Sequence, residues 1–314
     1  MISIEQLWES KHFEPNESQR RGILHTEGPL YLPAGPGSGK TRVLLWRVVN
    51  LIACQGINPK DIYLCTFTEK AALQLKEGLR VLLGEATNHS QRHYDISRMY
   101  VGTVHSSCHR ILSDRHFTPD RRRPRMPALM DELGQYLFLY RKDHWNVLIA
   151  EAGFHDNVNE ELNSLFEGDR PSRSKHNAVA HCISYFNRLS EECLEPAKLL
   201  KQIKKRDSKR LVKMYSAYLE LLKRKNVTDF SLVQQEALHV LESYPDSGSV
   251  FKYVIVDEYQ DTNTVQERLF FRLASGYKNI CVVGDDDQAL YRFRGATVEN
   301  FVDFPNRCQR YLGQ

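Results

Sequence analysis

A glycine-rich run that ends in lysine and threonine is the first feature of the sequence with recognisable chemistry. Glycines let a backbone turn so that its N–H groups face phosphate oxygens, and the start of a following helix adds a positive dipole end. We therefore expect nucleotide binding here, with Lys40 at the β- and γ-phosphates and the Thr41 hydroxyl on Mg²⁺. The run consists of Ala34, Gly35, Pro36, Gly37, Ser38, Gly39, Lys40 and Thr41.

Two adjacent acids supply the second half of a phosphate-cleaving site. Asp257 and Glu258 directly follow the apolar run at residues 254–256. Two acids at the end of a strand are often only solvated side chains, but together with the glycine-rich run they favour a catalytic interpretation. Asp257 is predicted to hold the metal ion, and Glu258 to orient and deprotonate the attacking water. A base for water favours hydrolysis over phosphoryl transfer to a second substrate.

The elements around these residues predict an α/β fold with a parallel sheet. Short apolar runs typical of buried parallel strands alternate with segments of helical spacing at the two ends of the chain. The middle of the chain has long segments of helical periodicity and few β-branched runs, which indicates an all-α insertion domain. Polar residues 85–99 are predicted to be an exposed connection. The predicted divisions are residues 1–112 and 226–314 for the α/β domain and residues 113–225 for the insertion.

Composition narrows the class of protein. With 41% hydrophobic and 26% charged residues, the chain is typical of folded globular proteins. Its seven cysteines include no C-x-x-C pair, which argues against a disulfide framework or a zinc ribbon. The sequence has no apolar stretch of membrane-spanning length and no signal peptide, so we expect a cytoplasmic protein without membrane contact. The net charge of +4 does not by itself identify a nucleic-acid binder.

Five blocks in a fixed order resemble one family. Residues 257–263 read D-E-Y-Q-D-T-N, which is similar to the D-E-[FY]-Q-D-T-N block of superfamily 1 DNA helicases of the UvrD, Rep and PcrA type. Asn16 and Gln19 resemble the adenine-reading Q motif of that family. The other similar blocks are T-F-T-E-K-A-A at residues 66–72, G-T-V-H-S at 102–106 and V-G-D-D-D-Q-A-L-Y-R-F-R-G-A at 283–296.

The resemblance implies a RecA-like P-loop NTPase domain that uses ATP and Mg²⁺. It implies that Gln19 reads adenine and that Arg42 lies near the base and sugar. It also adds Gln288, as a sensor of the γ-phosphate, to the catalytic residues Lys40 and Glu258. The residues implied on the DNA side are Thr66, Phe67, His105, Tyr291, Phe293 and Arg294.

Two positions depart from the family pattern. Phe293 stands where the family usually has a tryptophan that stacks on a base, and Val104 stands where it usually has phenylalanine. Stacking contributes about 1–3 kcal/mol per base, so the smaller ring is expected to weaken the grip on DNA without abolishing it. His105 and His109 have zinc-ligand spacing, but they lack the accompanying glutamate and a third ligand. We therefore expect His105 to be a DNA-side or structural residue.

The resemblance implies an ATP-driven helicase or translocase that moves 3′ to 5′ on single-stranded DNA and unwinds duplex DNA. The insertion faces duplex DNA in this family, so part of the basic runs at residues 121–125, 201–210 and 223–225 is expected to contact phosphates. After residue 296 too few residues remain for a second RecA-like domain, which we expect to be missing from this chain. The alternatives are a subunit of a RecB- or AddA-like helicase–nuclease, and a switch that binds ATP and DNA without unwinding.

Overall fold

A computed structural model describes residues 2–35, 37–117, 126–154, 157–167, 171–285 and 302–313. Five of the residues predicted for the site lie outside this part of the chain. They are Pro36, Gln288, Tyr291, Phe293 and Arg294.

The chain divides into two compact units. The sheet unit contains Met1–Pro119 and Ala237–Gln314, and the helical unit contains Asp120–Glu236. The sequence places the limits of the insertion after residues 112 and 225, and those limits stay predictions about how the chain is built from domains.

In the sheet unit, strands alternate with helices along both segments of the chain. The first segment contains α1 (Ile4–Ser10), α2 (Glu17–Leu24), β1 (Leu30–Pro33), α3 (Lys40–Val49), β2 (Ile62–Thr66), α4 (Glu69–Ser90), β3 (Tyr100–Thr103) and α5 (Val104–Ser113). In the helical unit and the second segment follow β4 (Ala128–Leu129), α6 (Glu132–Tyr140), α7 (Lys142–Ala152), α8 (Val158–Glu167), α9 (Lys175–Glu191), α10 (Pro196–Gln202), α11 (Arg206–Lys225), β5 (Val227–Thr228), α12 (Phe230–Ser243), β6 (Tyr253–Val256), α13 (Thr264–Ala274), β7 (Ile280–Gly284) and α14 (Phe304–Leu312).

Among the described residues of the sheet unit, five strands form one parallel sheet in the order β1-β7-β6-β2-β3. The parallel sheet predicted from the apolar runs is confirmed. Because all five strands run in the same direction, their carboxyl ends meet at one edge of the sheet, where α/β proteins bind ligands. At that edge the register pairs Pro33 with Gly284, Val256 with Val282, Cys65 with Val256 and Thr66 with Thr103.

The helices α3 and α4 pack closely beside the sheet. A Cβ atom at Gly78 of α4 would lie 2.6 Å from Cδ1 of Leu45 on α3, so a larger residue there would force the Leu45 side chain to move. Helix α4 continues to Ser90, so the exposed connection predicted for residues 85–99 begins only after Ser90. Ala86 is completely buried and prolongs the apolar face of Leu79 and Leu83 by one turn. Because the residues around Ala86 are polar, the sequence pattern did not indicate this part of α4.

The helical unit contains its own core, formed mainly by α7, α9 and α11. It is not entirely helical, because β4 and β5 form a short parallel pair in which Ala128 lies beside Val227. The segment at residues 133–149, which has one continuous helical period in the sequence, is broken between α6 and α7. Arg141 has an extended ψ of 136° there and ends the first helix.

A buried polar network ties the helices of this unit together. Asp229 is 3% exposed and accepts hydrogen bonds from the Tyr218 hydroxyl at 2.7 Å and the Gln135 amide at 3.3 Å. Its other oxygen accepts from the backbone N–H of Leu232 at 2.9 Å, at the start of α12. Burial raises the pKa of Asp229. Since buried polar groups are costly unless they are satisfied, this network specifies how α6, α11 and α12 meet.

Glu191, at the end of α9, makes the stability of the helical unit depend on pH. Burial in the first place, and then the negative charges of Glu192 and Asp229, raise its pKa to about 7. A carboxyl whose pKa is raised by folding stabilises the fold below its unfolded pKa of 4.5, and that contribution is lost as the pH rises through about 7. The fold is therefore expected to strengthen when this carboxyl is replaced by a neutral amide.

We expect Glu191→Gln to stabilise the helical unit by about 2 kcal/mol at pH 8 and by much less at pH 5. Urea unfolding of the chain at the two pH values measures the difference. Glu151→Gln, at an exposed position of α7, is the matched control and is expected to change little at either pH. An equal gain for Glu191→Gln at both pH values would contradict this assignment of the carboxyl.

Candidate functional site

The glycine-rich loop connects β1 to α3 at the carboxyl edge of the sheet. Gly37 and Gly39 have φ values of 74° and 84°, in the left-handed region that residues with a Cβ atom rarely adopt. Gly39 is the N-cap of α3, so Lys40 and Thr41 begin the helix. The Ala34 N–H donates to the carbonyl of Gly284 at 2.9 Å, which anchors the loop to the end of β7. The loop therefore lies in front of a helix N-terminus, as phosphate binding requires.

The two predicted Q-motif residues organise α2 and reach the loop. Asn16 caps α2 and forms a reciprocal capping box with Gln19. The Gln19 side-chain amide also donates to the carbonyl of Ser38 at 3.1 Å. Gln19 thus stands at the rim of the phosphate loop.

The acids at the end of β6 lie opposite the loop. Asp257 is 4% exposed, and burial in the first place, then the Glu258 carboxylate, raises its pKa to about 6. The Lys40 ammonium lies 3.3 Å from Oε2 of Glu258, in an ion pair that is partly shielded from solvent. Lys40 is therefore paired with Glu258, which follows it by 218 positions in the sequence, and it also lies close to Asp257.

The backbone of Glu258 is itself unusual. Its φ of 54° and ψ of 41° place a residue with a long side chain in the left-handed region. Such conformations cost of order 1 kcal/mol or more and cluster at functional sites, where surrounding contacts hold them. The turn directs the Glu258 carboxylate toward Lys40.

Gln260 is a site residue that the sequence reasoning missed. It is 3% exposed, and its amide nitrogen donates to Oε2 of Glu258 at 2.8 Å. Its amide oxygen accepts from the backbone N–H of Asp285 at 3.1 Å. Gln260 therefore fixes the candidate base and links it to the chain that leaves β7. Its place as the fourth residue of the D-E-Y-Q-D-T-N block was the signal that could have indicated it.

Thr41 and Asp257 are the residues that could hold Mg²⁺. Mg²⁺ prefers hard oxygen ligands and is usually bound by one or two carboxylates together with substrate phosphates. The raised pKa of Asp257 marks a desolvated carboxylate that a cation would stabilise, which fits this role. Arg42 is exposed on the same turn as Thr41, and its guanidinium lies 5.2 Å from the centre of the Phe13 ring.

The ends of β2 and β3 form a second region at the same edge. Phe67 and His105 are half-buried there, whereas Thr66 is buried at 1% exposure. Thr103 caps α5 by accepting from the N–H of Ser106, and its hydroxyl donates to the Glu69 carboxylate at 3.0 Å. Phe67 and His105 therefore reach the surface of this region, whereas Thr66 lies beneath it.

Comparison with known proteins agrees with this geometry. The chain matches the family "UvrD/REP helicase N-terminal domain" over residues 15–309. The chain belongs to this family. It is 31% identical over 301 residues to the ATP-dependent DNA helicase PcrA of Staphylococcus aureus, covering 92% of this chain and 35% of that protein. It is 32% identical over 304 residues to the ATP-dependent DNA helicase UvrD1 of Mycobacterium bovis, with the same coverage. The chain therefore spans about a third of the length of these relatives.

The structure shows where two residues of this UvrD/REP domain that depart from the family pattern lie. Val104 is 1% exposed, so the side chain that departs from the family phenylalanine lies in the core. The block at residues 66–72 is similar to T-F-T-N-K-A-A in the family, so Glu69 stands where the family has asparagine. It places an exposed carboxylate between the ends of β2 and β3. The other six residues of the block match the family pattern, so the sequence did not single out Glu69.

No helix in the described ranges of the chain is both long and apolar enough to cross a membrane.

Proposed function

We propose that the whole protein is an ATP-driven DNA helicase or translocase that moves 3′ to 5′ on single-stranded DNA. The observation that carries the proposal is the meeting of Lys40, Asp257 and Glu258 at the sheet edge that also holds Phe67 and His105. One edge then offers both a triphosphate site and a surface for a second ligand. The relatives named as DNA helicases, and the shared blocks, make single-stranded DNA the ligand that fits best.

In the proposed reaction, ATP lies with its phosphates in the loop before α3 and its base beside Gln19. Lys40 neutralises charge on the β- and γ-phosphates. Thr41 and Asp257 would hold Mg²⁺, which would supply further positive charge to the phosphate oxygens. Glu258 takes a proton from the attacking water, whose oxygen bonds to the γ-phosphorus while the bond from that phosphorus to the oxygen of ADP breaks, so that ADP and phosphate form.

Lys40 and Glu258 have to part for this to happen, because the triphosphate takes the lysine as its partner. Gln260 keeps its hydrogen bond to Glu258 and so holds the freed carboxylate in place. Gln260 also accepts a hydrogen bond from the backbone N–H of Asp285. We infer that it links the position of the Glu258 carboxylate to the segment after β7, which contains the proposed γ-phosphate sensor Gln288. That segment also contains the proposed DNA residues Tyr291, Phe293 and Arg294.

The 314 residues contain one such sheet within the described part of the chain. We propose that the chain by itself binds ATP and Mg²⁺ weakly and does not separate strands. In motors of this type a second domain supplies arginines worth on the order of 10³–10⁵ in turnover. The proposed role is tested by displacement of a strand from a 3′-tailed duplex by the whole protein. Absence of displacement together with DNA-stimulated ATP hydrolysis would favour a translocase, and absence of both would favour the switch.

Glu69 is expected to weaken the grip on DNA, because its carboxylate repels phosphates at the proposed DNA edge. Glu69→Gln keeps an acceptor for the Thr103 hydroxyl but removes the charge. We expect it to tighten binding of a short single-stranded oligonucleotide about fivefold at low ionic strength, with the gain shrinking as salt screens the charge. Fluorescence anisotropy across a salt series measures this effect.

The control for this prediction is Glu77→Gln, an exposed glutamate two turns farther along α4. At about 1.5 Å per residue it lies roughly 12 Å away, so we expect a smaller gain than for Glu69→Gln at low ionic strength and almost none at about 0.1 M salt, where the Debye length is about 10 Å. Equal gains for both variants would show a general charge effect, and weaker binding by Glu69→Gln would contradict the assignment.

A further inference from the structure

Arg47 is a buried cation inside the sheet unit that the proposed reaction does not use. It lies on α3, two turns after Lys40, and is only 1% exposed. Its Nη1 donates to the backbone carbonyl of Gly22 at 2.9 Å and to that of His25. Burying a positive charge is costly unless strong partners replace its hydration. Here the guanidinium is held by the backbone carbonyls at the end of α2.

These carbonyls are the ones that the end of a helix leaves without partners. The last turn of a helix carries a partial negative charge, and a cation placed there is stabilising. Asn50, the residue after α3, adds a third contact by donating its side-chain amide to the carbonyl of Ile23 at 3.1 Å. Arg47 and Asn50 therefore fix the whole final turn of α2 to the helix that begins at the phosphate loop.

The other end of α2 is attached to the same segment of chain. Gln19 lies three residues before Gly22, and its amide donates to Ser38 in the phosphate loop. On the β1 side α2 lies close to the sheet, because a Cβ atom at Gly22 would lie 3.1 Å from the Leu32 side chain. The short helix α2 is thus held at its start by the phosphate loop and at its end by α3 and Asn50, and these contacts set the orientation of Gln19.

We propose that Arg47 is a positioning residue for base recognition, because it locks α2 so that Gln19 can distinguish adenine from guanine. This inference rests on the proposed function, in which Gln19 faces the base of a bound nucleoside triphosphate. Grip on the phosphates depends on Lys40 and the loop, which Arg47 does not touch. Loss of Arg47 should therefore weaken recognition of the base without weakening binding of the triphosphate.

The test compares the affinities of the chain for ATP, GTP and inorganic tripolyphosphate, measured in Mg²⁺ by displacement of a fluorescent ATP analogue. Arg47→Met fills a similar volume without donors. We expect it to weaken ATP binding about tenfold, the size of one or two hydrogen bonds, while GTP and tripolyphosphate change less than about twofold. Arg47→Lys keeps a charged donor and should recover part of the preference for ATP.

Leu51→Ala is the matched control, because Leu51 is completely buried in the turn that follows α3 and makes no hydrogen bond through its side chain. It should lower thermal stability and leave the ratio of ATP to GTP affinity unchanged. If Arg47→Met fails to fold, Asn50→Leu removes only the contact to Ile23 and should reduce that ratio about threefold.

An unchanged ratio of ATP to GTP affinity in Arg47→Met would overturn the inference, and Asn50→Leu is judged in the same way if it has to replace that variant. Equal weakening of the binding of ATP, GTP and tripolyphosphate would also overturn it. Equal affinity of the unmodified chain for ATP and GTP would also overturn it, but the proposed hydrolysis would stand. Failure of the unmodified chain to bind either nucleotide would instead overturn the proposed function as well.

Discussion

Replacing Glu258 by glutamine is expected to leave ATP binding nearly unchanged and to slow ATP hydrolysis by about 10²–10⁴. Glutamine has the same shape and can still accept the hydrogen bond from Gln260, but it cannot take a proton from water. Binding can even tighten slightly, because a negative charge near the γ-phosphate is removed. DNA-stimulated turnover by the whole protein, together with a nucleotide titration, measures both effects.

Two controls make the Glu258→Gln result specific. Glu9→Gln changes an exposed carboxylate on α1 and should leave turnover unaffected. Gln260→Leu removes the hydrogen bond to Glu258 together with the one accepted from the N–H of Asp285, and it should slow turnover by a smaller factor without abolishing it. Normal hydrolysis by Glu258→Gln would show that another group activates the water.

Replacing Lys40 by alanine is expected to weaken ATP binding by about a hundredfold or more. The ammonium is shielded, with 12% of its side chain exposed, so its attraction to the phosphates is screened less than that of a surface lysine. The substitution also leaves the Glu258 carboxylate without its ion-pair partner, facing the incoming phosphates. Isothermal titration with ATP and Mg²⁺ measures the loss.

Lys76→Ala, at a lysine on α4 away from the loop, is the matched control and should bind ATP normally. Lys40→Arg keeps the positive charge with a different shape, and we expect it to recover only part of the affinity. Binding by Lys40→Ala within about twofold of the unmodified chain would contradict the placement of the triphosphate in this loop.

The parts of the site that the sequence predicted are those in which local chemistry dictates the structure. Gly37 and Gly39 adopt backbone angles that require glycine, and the acids at residues 257 and 258 end an apolar run typical of a buried strand. These signals are local, so the phosphate loop and the end of β6 could be placed without knowing the rest of the chain. The parallel sheet follows from the same alternation of strands and helices.

Contacts between distant residues could not be predicted in this way. The strand order places β7 between β1 and β6 although β1 and β7 lie about 250 positions apart, and no local pattern encodes that pairing. Gln260 and Arg47 resemble ordinary polar residues in the sequence. Their roles depend on which backbone groups the fold brings to them, namely the N–H of Asp285 and the carbonyl of Gly22.

We propose that ATP and single-stranded DNA are coupled because both bind at one edge of the sheet, and the rate of ATP hydrolysis with and without single-stranded DNA measures this coupling. In the whole protein at saturating ATP, we predict that an oligonucleotide raises the rate at least about tenfold and that Glu258→Gln abolishes the rise. A rate that is the same with and without DNA, under conditions where anisotropy shows that the DNA is bound, would contradict the account.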